Sequence, residues 1–492
     1  GNWLPSVSPG PHREPAHRAF PKQMEDWDVE RIIKDYAAAA QRMQAGGMDG
    51  IELQAYGHLM DQFWSPLTNR LDGPYGADTM DNRMRFTTDI LTEIRKLCGP
   101  EFIVGLRYTA DEAQKDGISE EDGFEISRRL RDCGMVDFLN VIRGRIHTDP
   151  AMTDVIPVQG MANAPHLDFA ARVKRETGMP TFHAAKIPDV ATARHAVAEG
   201  LLDMVGMTRA HMADPHIVQK IVQGREEDIR PCVGATYCLD RIYQAGDALC
   251  MHNAATGREL TMPHHIEPAS KSRKVVVVGA GPGGLEAARV AAERGHEVTV
   301  FEAQPDPGGQ VRLTAQNPRR REMISIIDWR MAQCAAHDVT FHFNTWAEAE
   351  DVTKLAPDVV IIATGGLPNM ELYEGHGEQD LPVSSWDLIS GDVKPGQNIL
   401  IYDESGDHPG LQAAEVAANS GAQVEVMTPD RTLAPDIMAM NLVPYMRELQ
   451  DKDVSFTVTR RLLDLARDGN QIKVTIGTDY SDITSEKVWC HY

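Results

Sequence analysis

The sequence predicts an α/β chain: an incomplete TIM-type (β/α) barrel followed by a Rossmann-like two-dinucleotide-binding module. Three observations predict it. Five near-continuously apolar runs alternate with amphipathic stretches up to about residue 225. A glycine-rich turn after the run KVVVV opens a helical stretch from Lys274 onward. A second pass of the same strand–turn–helix kind starts near Asn398.

The five runs are DGIELQA (49–55), FIVGLRYT (102–109), MVDFLNVI (135–142), PTFHAA (180–185) and LDMVGMT (202–208). Strands buried on both faces read this way. Between them, Ile32, Ile33, Tyr36, Ala39, Ala40 and Met43 recur at helical spacing over 28–43, and 120–132 and 190–199 behave alike. Strands alternating with helices predict parallel βαβ units. A closed barrel needs eight strands, so the chain is expected to begin inside the barrel. It is also expected to stop inside its last domain, at Tyr492 shortly after a strand over Gln471–Ile476. Four regions follow: a barrel over 1–225, a cysteine-containing segment and linker over 226–272, a first nucleotide-binding domain over 273–390, and a second nucleotide-binding-like domain over 391–492.

Composition narrows the function. With 42% hydrophobic and 25% charged residues the chain is an ordinary globular protein, not a disordered one. Lys plus Arg number 49 against 72 Asp plus Glu, a net charge of −23, which argues against nucleic acid or an anionic membrane as main partner. Seven scattered cysteines are an odd number and no disulfide framework. A reducing, cytoplasmic compartment is therefore expected. No apolar run approaches the roughly 20 residues that span a bilayer.

The glycine turn carries the clearest chemistry. Val275–Val278 form a strand, then come Gly279, Ala280, Gly281, Pro282, Gly283 and Gly284. Gly279 permits the tight turn, Gly281 lets backbone approach a pyrophosphate, and Gly284 lets helix and strand pack closely. The helix N-terminus offers free N–H groups to phosphates. Glu302, at the end of the next strand, is placed for a ribose. The second turn is different: Asp403-Glu404-Ser405-Gly406-Asp407-His408-Pro409-Gly410 lacks the close-approach glycines, and Asp403, Glu404 and Asp407 would repel a pyrophosphate. NAD(P)H binding is thereby disfavoured, though NAD(P)H is kept as a candidate cofactor.

Cys232, Cys238 and Cys250 lie close together outside an oxidising compartment, which suggests metal or iron–sulfur ligation. The segment DMVGMTRAHMADPHIVQKIVQGREEDIRPCVGATYCLDRIYQAGDALCMHNAATGRE resembles the barrel-to-cluster junction of the trimethylamine dehydrogenase and 2,4-dienoyl-CoA reductase group. These are old-yellow-enzyme-like NADH:flavin oxidoreductases, and the resemblance runs the length of the chain. It implies FMN in the barrel, a [4Fe-4S] cluster, and FAD or ADP in the nucleotide-binding module. Gly308-Gly309-Gln310 and the run VVIIATGG (359–366) resemble further nucleotide-contacting elements, which adds Gly309, Gln310, Thr364 and Gly365 to Gly279, Gly281, Gly284 and Glu302. One departure is plain: Ala235 stands where the family has its second cluster cysteine, and alanine cannot ligate iron. Either Cys232, Cys238 and Cys250 hold a cluster with another ligand, or no cluster forms and the thiols are small buried hydrophobes.

Barrel enzymes place chemistry at the C-terminal ends of their strands. Arg107 ends FIVGLR, where the resemblance implies a cation facing the flavin pyrimidine. Ala185 and Lys186 end the fourth run, and Thr208 and Arg209 the fifth; these resemble the loops that hold the FMN phosphate. Tyr56 and His58, after DGIELQA, resemble the substrate-side loop, which is one residue shorter here, and are expected to contact substrate or handle a proton. Asn140 falls where the resembling amine dehydrogenase has a carboxylate, which points away from a simple cationic amine. Arg143 and Arg145 follow, a pair suited to a carboxylate, the alternative being a solvated pair. Tyr56, Trp64 and Tyr108 could offer aromatic faces to a methylammonium.

The expectation is an FMN-dependent demethylase or dehydrogenase of an N-methylated amine or amino acid, nearest to demethylases of the dimethylglycine or N-methylproline type. Its partners would be a small-molecule substrate and an electron-transfer flavoprotein or ferredoxin-like acceptor, in a homo-oligomer. The competing expectations are an NAD(P)H-driven ene-reductase of the dienoyl-CoA type and a non-catalytic nucleotide-binding fragment.

Overall fold

A computed structural model describes residues 6–13, 20–370, 381–469 and 471–490. It divides into two units, Gly1–Pro157 with Ala162–Thr208, and Val158–Met161 with Arg209–Tyr492. The barrel limit expected at residue 225 thus lies inside the second unit.

The first unit is built on five strands: β1 (Gly50–Ala55), β2 (Ile103–Asp111), β3 (Phe138–Arg143), β4 (Thr181–Ala184) and β5 (Met204–Gly206). They pair in chain order as one parallel sheet. All five correspond to runs read from the sequence. Helix α1 (Asp26–Ala45) precedes them, and the helices between them include α2 (Met60–Trp64), α3 (Met80–Cys98), α4 (Glu120–Asp132), α5 (Leu167–Thr177) and α6 (Val190–Ala198). Local chemistry starts several of them. Ser119 and Asp122 form a capping box at α4, and the Thr79 and Asp189 side chains accept the first-turn N–H groups of α3 and α6. The helices cover one face of the sheet. There Ala55, Tyr108 and Val141 are fully buried and His183 nearly so, in one register row.

The second unit holds α7 (Tyr237–Tyr243) and two parallel sheets. The first sheet contains β6 (Lys274–Val278), β7 (Glu297–Phe301), β8 (Thr340–His342) and β9 (Val359–Ile362), in the order β8-β7-β6-β9. Helices α8 (Pro282–Glu293) and α9 (Ser325–Ala336) pack on it. The second sheet runs β10 (Asn398–Tyr402), β11 (Gln423–Met427), β12 (Ser455–Thr457), with α10 (His408–Asn419) and α11 (Ala439–Asp451) against it. The strand expected over Gln471–Ile476 is β14 (Gln471–Thr478), and it is the centre of an antiparallel sheet with β13 (Arg461–Asp468) and β15 (Ser481–Cys490). Polar side chains tie the second unit together. Asn317 Nδ2 donates to Glu415 Oε2 at 2.6 Å, and the Arg319 guanidinium lies 3.9 Å from the Tyr445 ring centroid. Asn441 Nδ2 donates to the Ala235 carbonyl at 2.8 Å, which fixes the cysteine segment to α11.

Candidate active site

Register decides which residues share the uncovered face of the five-stranded sheet. Gln54 lies opposite Arg107, Arg107 opposite Asn140, Asn140 opposite Phe182, and Phe182 opposite Met204. Side chains at one level of a parallel sheet point the same way. The row therefore brings Gln54, Arg107 and Asn140 together on neighbouring strands, spaced by the roughly 4.8 Å that separates strands. Arg107 Nε and Asn140 Oδ1 are both buried without a hydrogen-bond partner, a cost buried polar atoms normally avoid. Asn140 Nδ2 donates to Glu52 Oε2 at 2.9 Å. A buried donor and a buried acceptor left open beside Gln54 on this face suit the polar edge of a flavin, so these residues fit FMN.

Tyr56 belongs to the same face, with the Arg107 guanidinium 5.1 Å from its ring centroid. His58 is exposed, and its Nδ1 contacts the Gly57 carbonyl at 2.6 Å. Gly57 has φ +66°, and a Cβ there would come within 2.3 Å of Ile146 Cδ1, so the turn between Tyr56 and His58 requires glycine.

Two residues expected at the substrate do not face it. Tyr108 follows Arg107, so the alternation of a strand turns it to the helix-covered face. It is fully buried there, its hydroxyl on Ser127 Oγ. Trp64, at the end of α2, is fully buried too; its Nε1 donates to Thr87 Oγ1 at 3.0 Å and its ring meets Tyr108 edge-on. Both pack the core rather than offer an aromatic face to a ligand.

Arg143 and Arg145 are each held by an acid at the end of β2. Arg143 Nε donates to Asp111 Oδ2 at 2.9 Å, its guanidinium 5.3 Å from the Phe169 ring centroid. Arg145 Nε lies 3.4 Å from Glu112 Oε1, and Glu112 Oε2 accepts from Ser65 Oγ and the Ile118 N–H. The Arg143 side chain stays 37% exposed, enough to engage a ligand. Sequence reasoning missed Gln54, Asp61, Asp111, Glu112 and His183. The alternation within IELQA carried the signal for Gln54. Nothing local marked Asp61, which burial pushes up to about 6 against the pull of the Gly57 N–H. His183 is buried beside His166, and burial lowers it to about 4.

At the end of β4, Ala185 (φ +151°) and Lys186 (φ +47°) form a strained turn at the expected phosphate position. Lys186 is buried and its carbonyl accepts the Ala164 N–H. Thr208 closes the first unit and Arg209 opens the long run of the second.

In the second unit the glycine turn has the geometry its spacing implies. Gly279 has φ +102°, and a Cβ at Gly284 would fall 1.9 Å from the Gly279 carbonyl oxygen. Gly281 caps α8 with open space around it. Gly309 lies against Gly281, and Gln310 Nε2 reaches the Gly366 carbonyl at 3.5 Å. Gly365 turns with φ +72° just after Thr364. Glu302 Oε2 accepts the Ala280 N–H at 2.7 Å, which ties the acid to the turn. The cradle is open and fits a nucleotide. The second turn is filled from within: Asp403 Oδ1 accepts the Ser405 N–H, Ser405 Oγ and the Gly406 N–H at 3.0, 2.8 and 3.2 Å.

Cys232, Cys238 and Cys250 are partly exposed free thiols in electrostatic range of one another. The Cys250 sulfur accepts the His252 N–H at 3.4 Å. Among the described residues, no group of three or more Cys, His, Asp or Glu is gathered to hold a metal ion. With Ala235 between them, these side chains do not present the donor set of a cluster.

Comparison with known proteins bears on the same residues. The model of the NADH:flavin oxidoreductase / NADH oxidase family matches residues 5–228, and that of the pyridine nucleotide-disulphide oxidoreductases matches 239–400. A probable N-methylproline demethylase of Rhizobium meliloti (strain 1021) is 67% identical over 489 residues, 99% of this chain and 72% of the relative. The chain belongs to the NADH:flavin oxidoreductase / NADH oxidase family. This flavin oxidoreductase is also 41% identical, over 99% of its length and 71% of the relative, to the N,N-dimethylglycine/sarcosine dehydrogenase of Chromohalobacter salexigens. Among solved structures, a 2-naphthoyl-CoA reductase in complex with 2-naphthoyl-CoA matches with a TM-score of 0.89 at 27% identity, covering 99% of this chain and 72% of that one. The flavin oxidoreductase therefore combines an FMN-type barrel domain with a nucleotide-binding module, and it is an FMN-dependent enzyme. No helix among its described residues is long and apolar enough to cross a membrane.

Proposed function

We propose that this flavin oxidoreductase oxidatively removes a methyl group from an N-methylated amino acid of the N-methylproline or dimethylglycine type. The observation that carries the reading is the 67% identity to a probable N-methylproline demethylase over almost the whole chain. Arg143, half-exposed at the end of β3, is the candidate for the substrate carboxylate, and Asp111 holds it in place. Tyr56 shares the uncovered face with Arg107 and closes one side of the substrate position. The substrate ammonium must lose its proton before an N–CH3 carbon can give up a hydride, and exposed His58, two residues after Tyr56, is the candidate to take it. When bound, FMN supplies the oxidation, accepting a hydride equivalent from that carbon; water then adds to the iminium, which releases formaldehyde and the demethylated amine. Arg107 offers the fixed cation that favours a reduced, anionic flavin. Ala185, Lys186, Thr208 and Arg209 are the candidates to hold the FMN phosphate, and Gly279, Gly281, Gly284, Glu302, Gly309, Gln310, Thr364 and Gly365 to hold FAD or ADP.

Electrons would leave to an electron-transfer flavoprotein or ferredoxin-like acceptor. A cluster on Cys232, Cys238 and Cys250 belongs to this reading only through the order of the sequence, and no step is routed through it. Iron and acid-labile sulfide per chain after anaerobic purification decide that question. The test of the function is anaerobic mixing of the flavin-loaded enzyme with N-methylproline. Bleaching of the flavin band with one formaldehyde per flavin is expected. No bleaching, with NAD(P)H oxidised instead on adding an enoyl substrate, would overturn the reading in favour of an ene-reductase.

A further inference from the structure

We propose that Asp61 is a positioning residue which, through Gly57, fixes the ring nitrogen of His58 that is free to accept a proton. Gly57 is the link. Its N–H donates to Asp61 Oδ2 at 2.6 Å, and its carbonyl meets His58 Nδ1 at 2.6 Å. A carbonyl can only accept, so Nδ1 carries the proton and Nε2 of the exposed ring carries the lone pair. The backbone between the two contacts has little freedom. Gly57 is held at φ +66° against Ile146, and Leu59 is at φ +44° just before α2. Gly57 is thus held at its N–H by Asp61 and at its carbonyl by the contact with Nδ1, inside a turn constrained at Gly57 and Leu59, and the carbonyl so held selects the tautomer.

Asp61 is built for such a hold and for little else. It is only 5% exposed, so it cannot itself reach a substrate. Thr109 Oγ1 approaches Oδ2 at 3.4 Å, while Oδ1 is buried with no hydrogen-bond partner. A buried carboxylate with an open oxygen is costly and persists where function holds it in place. The charged groups around it are Glu112, Arg145 and His58, with Tyr36 beside them. Burial, the largest influence, raises its pKa to about 6, so the anion that holds Gly57 most strongly is lost below that pH.

The demethylase reading supplies only the proton donor, so the test has one arm that does not need it. Diethylpyrocarbonate acylates neutral imidazole, and peptide mass mapping reads the rate at His58 between pH 5 and 8. Asp61→Ala is expected to shift the pH dependence of His58 acylation and to slow flavin reduction by N-methylproline at least tenfold, with KM and bound FMN unchanged. Asp61→Asn keeps an acceptor for Gly57 and cannot titrate. It is expected to recover most of the rate at pH 8 and to lose the wild-type inflection near pH 6. If Asp61→Ala does not fold, the inflection in Asp61→Asn decides alone. Wild-type acylation and wild-type pH profiles in both variants would overturn the proposal. Altered acylation in an enzyme that N-methylproline does not reduce would leave Asp61 in its role and remove the demethylase reading.

Discussion

Arg107 combines two properties seldom found together: a buried Nε with no partner and a guanidinium stacked near an aromatic ring. A cation so held acts on charge that develops beside it. Arg107→Met is expected to slow flavin reduction by substrate roughly a hundredfold, read by anaerobic stopped flow, with the far-ultraviolet circular dichroism unchanged. Arg107 was singled out as the end of FIVGLR, but β2 runs on to Asp111, so the arginine stands in mid-strand and owes its place on the uncovered face to the register with Gln54 and Asn140. Its neighbour Tyr108 was misread because composition does not reveal which face a residue takes; only the register of β1, β2 and β3 does. Arg143, at the end of β3, and Arg145, just past it, were visible as a pair. Their acids Asp111 and Glu112 were not, since they come from another strand.

Turns and strands show where local sequence suffices. The run KVVVV and the glycines after it mark β6 and the start of α8 in one contiguous stretch: Gly284 leaves room for the Gly279 carbonyl five residues away, while Gly279 turns at φ +102° against the carbonyl of Ala363 just past β9. A methyl group at Gly284 would strike backbone rather than a mobile side chain. Gly284→Ala is expected to cost about 3 kcal/mol and to lose bound nucleotide, measured by urea denaturation and by nucleotide released on heating. The five strands of the first unit were readable for a similar reason: each is a short apolar run between amphipathic helices. The sheet of β13, β14 and β15 was less so. Arg461–Asp468 alternates weakly and pairs with residues 471–477, which in turn pair with the strand ending at Cys490. The tie between Asn441 and Ala235 spans 206 positions and leaves no trace in either segment.

At the scale of the molecule, buried histidines set the response to acid. Burial lowers His183 from 6.5 to about 4, and His252 and His408 to about 3. The unfolded chain takes up these protons near pH 6.5 and the native chain does not, so stability is full above that pH and falls as the pH drops toward 4. For His183 alone the loss is about 3 kcal/mol. Asp61 works in the opposite sense, its raised pKa making the native state bind a proton more readily below about 6. Asp240, raised likewise to about 6 by burial, acts with it, and burial raises Asp403 and Glu415 as well. The larger shifts of the three histidines outweigh them, so thermal unfolding is expected to move to lower temperature between pH 6.5 and 4.5, and His183→Gln to flatten that slope. The second prediction at this scale concerns the reductant. NADH added anaerobically in tenfold excess is expected to leave the flavin oxidised, because the N–H groups at Ser405 and Gly406 already serve Asp403.

That last feature bears on any attempt to convert the enzyme to nicotinamide dependence. Asp403 is a built-in counterfeit of a phosphate, lodged where a dinucleotide would have to dock. Grafting glycines into the turn would leave the counterfeit in place, and a Cβ at Gly410 would already fall 2.6 Å from its carboxyl carbon. The acid and the turn would have to be exchanged in one step, since either change alone leaves a buried charge or a set of amide groups with nothing to bind.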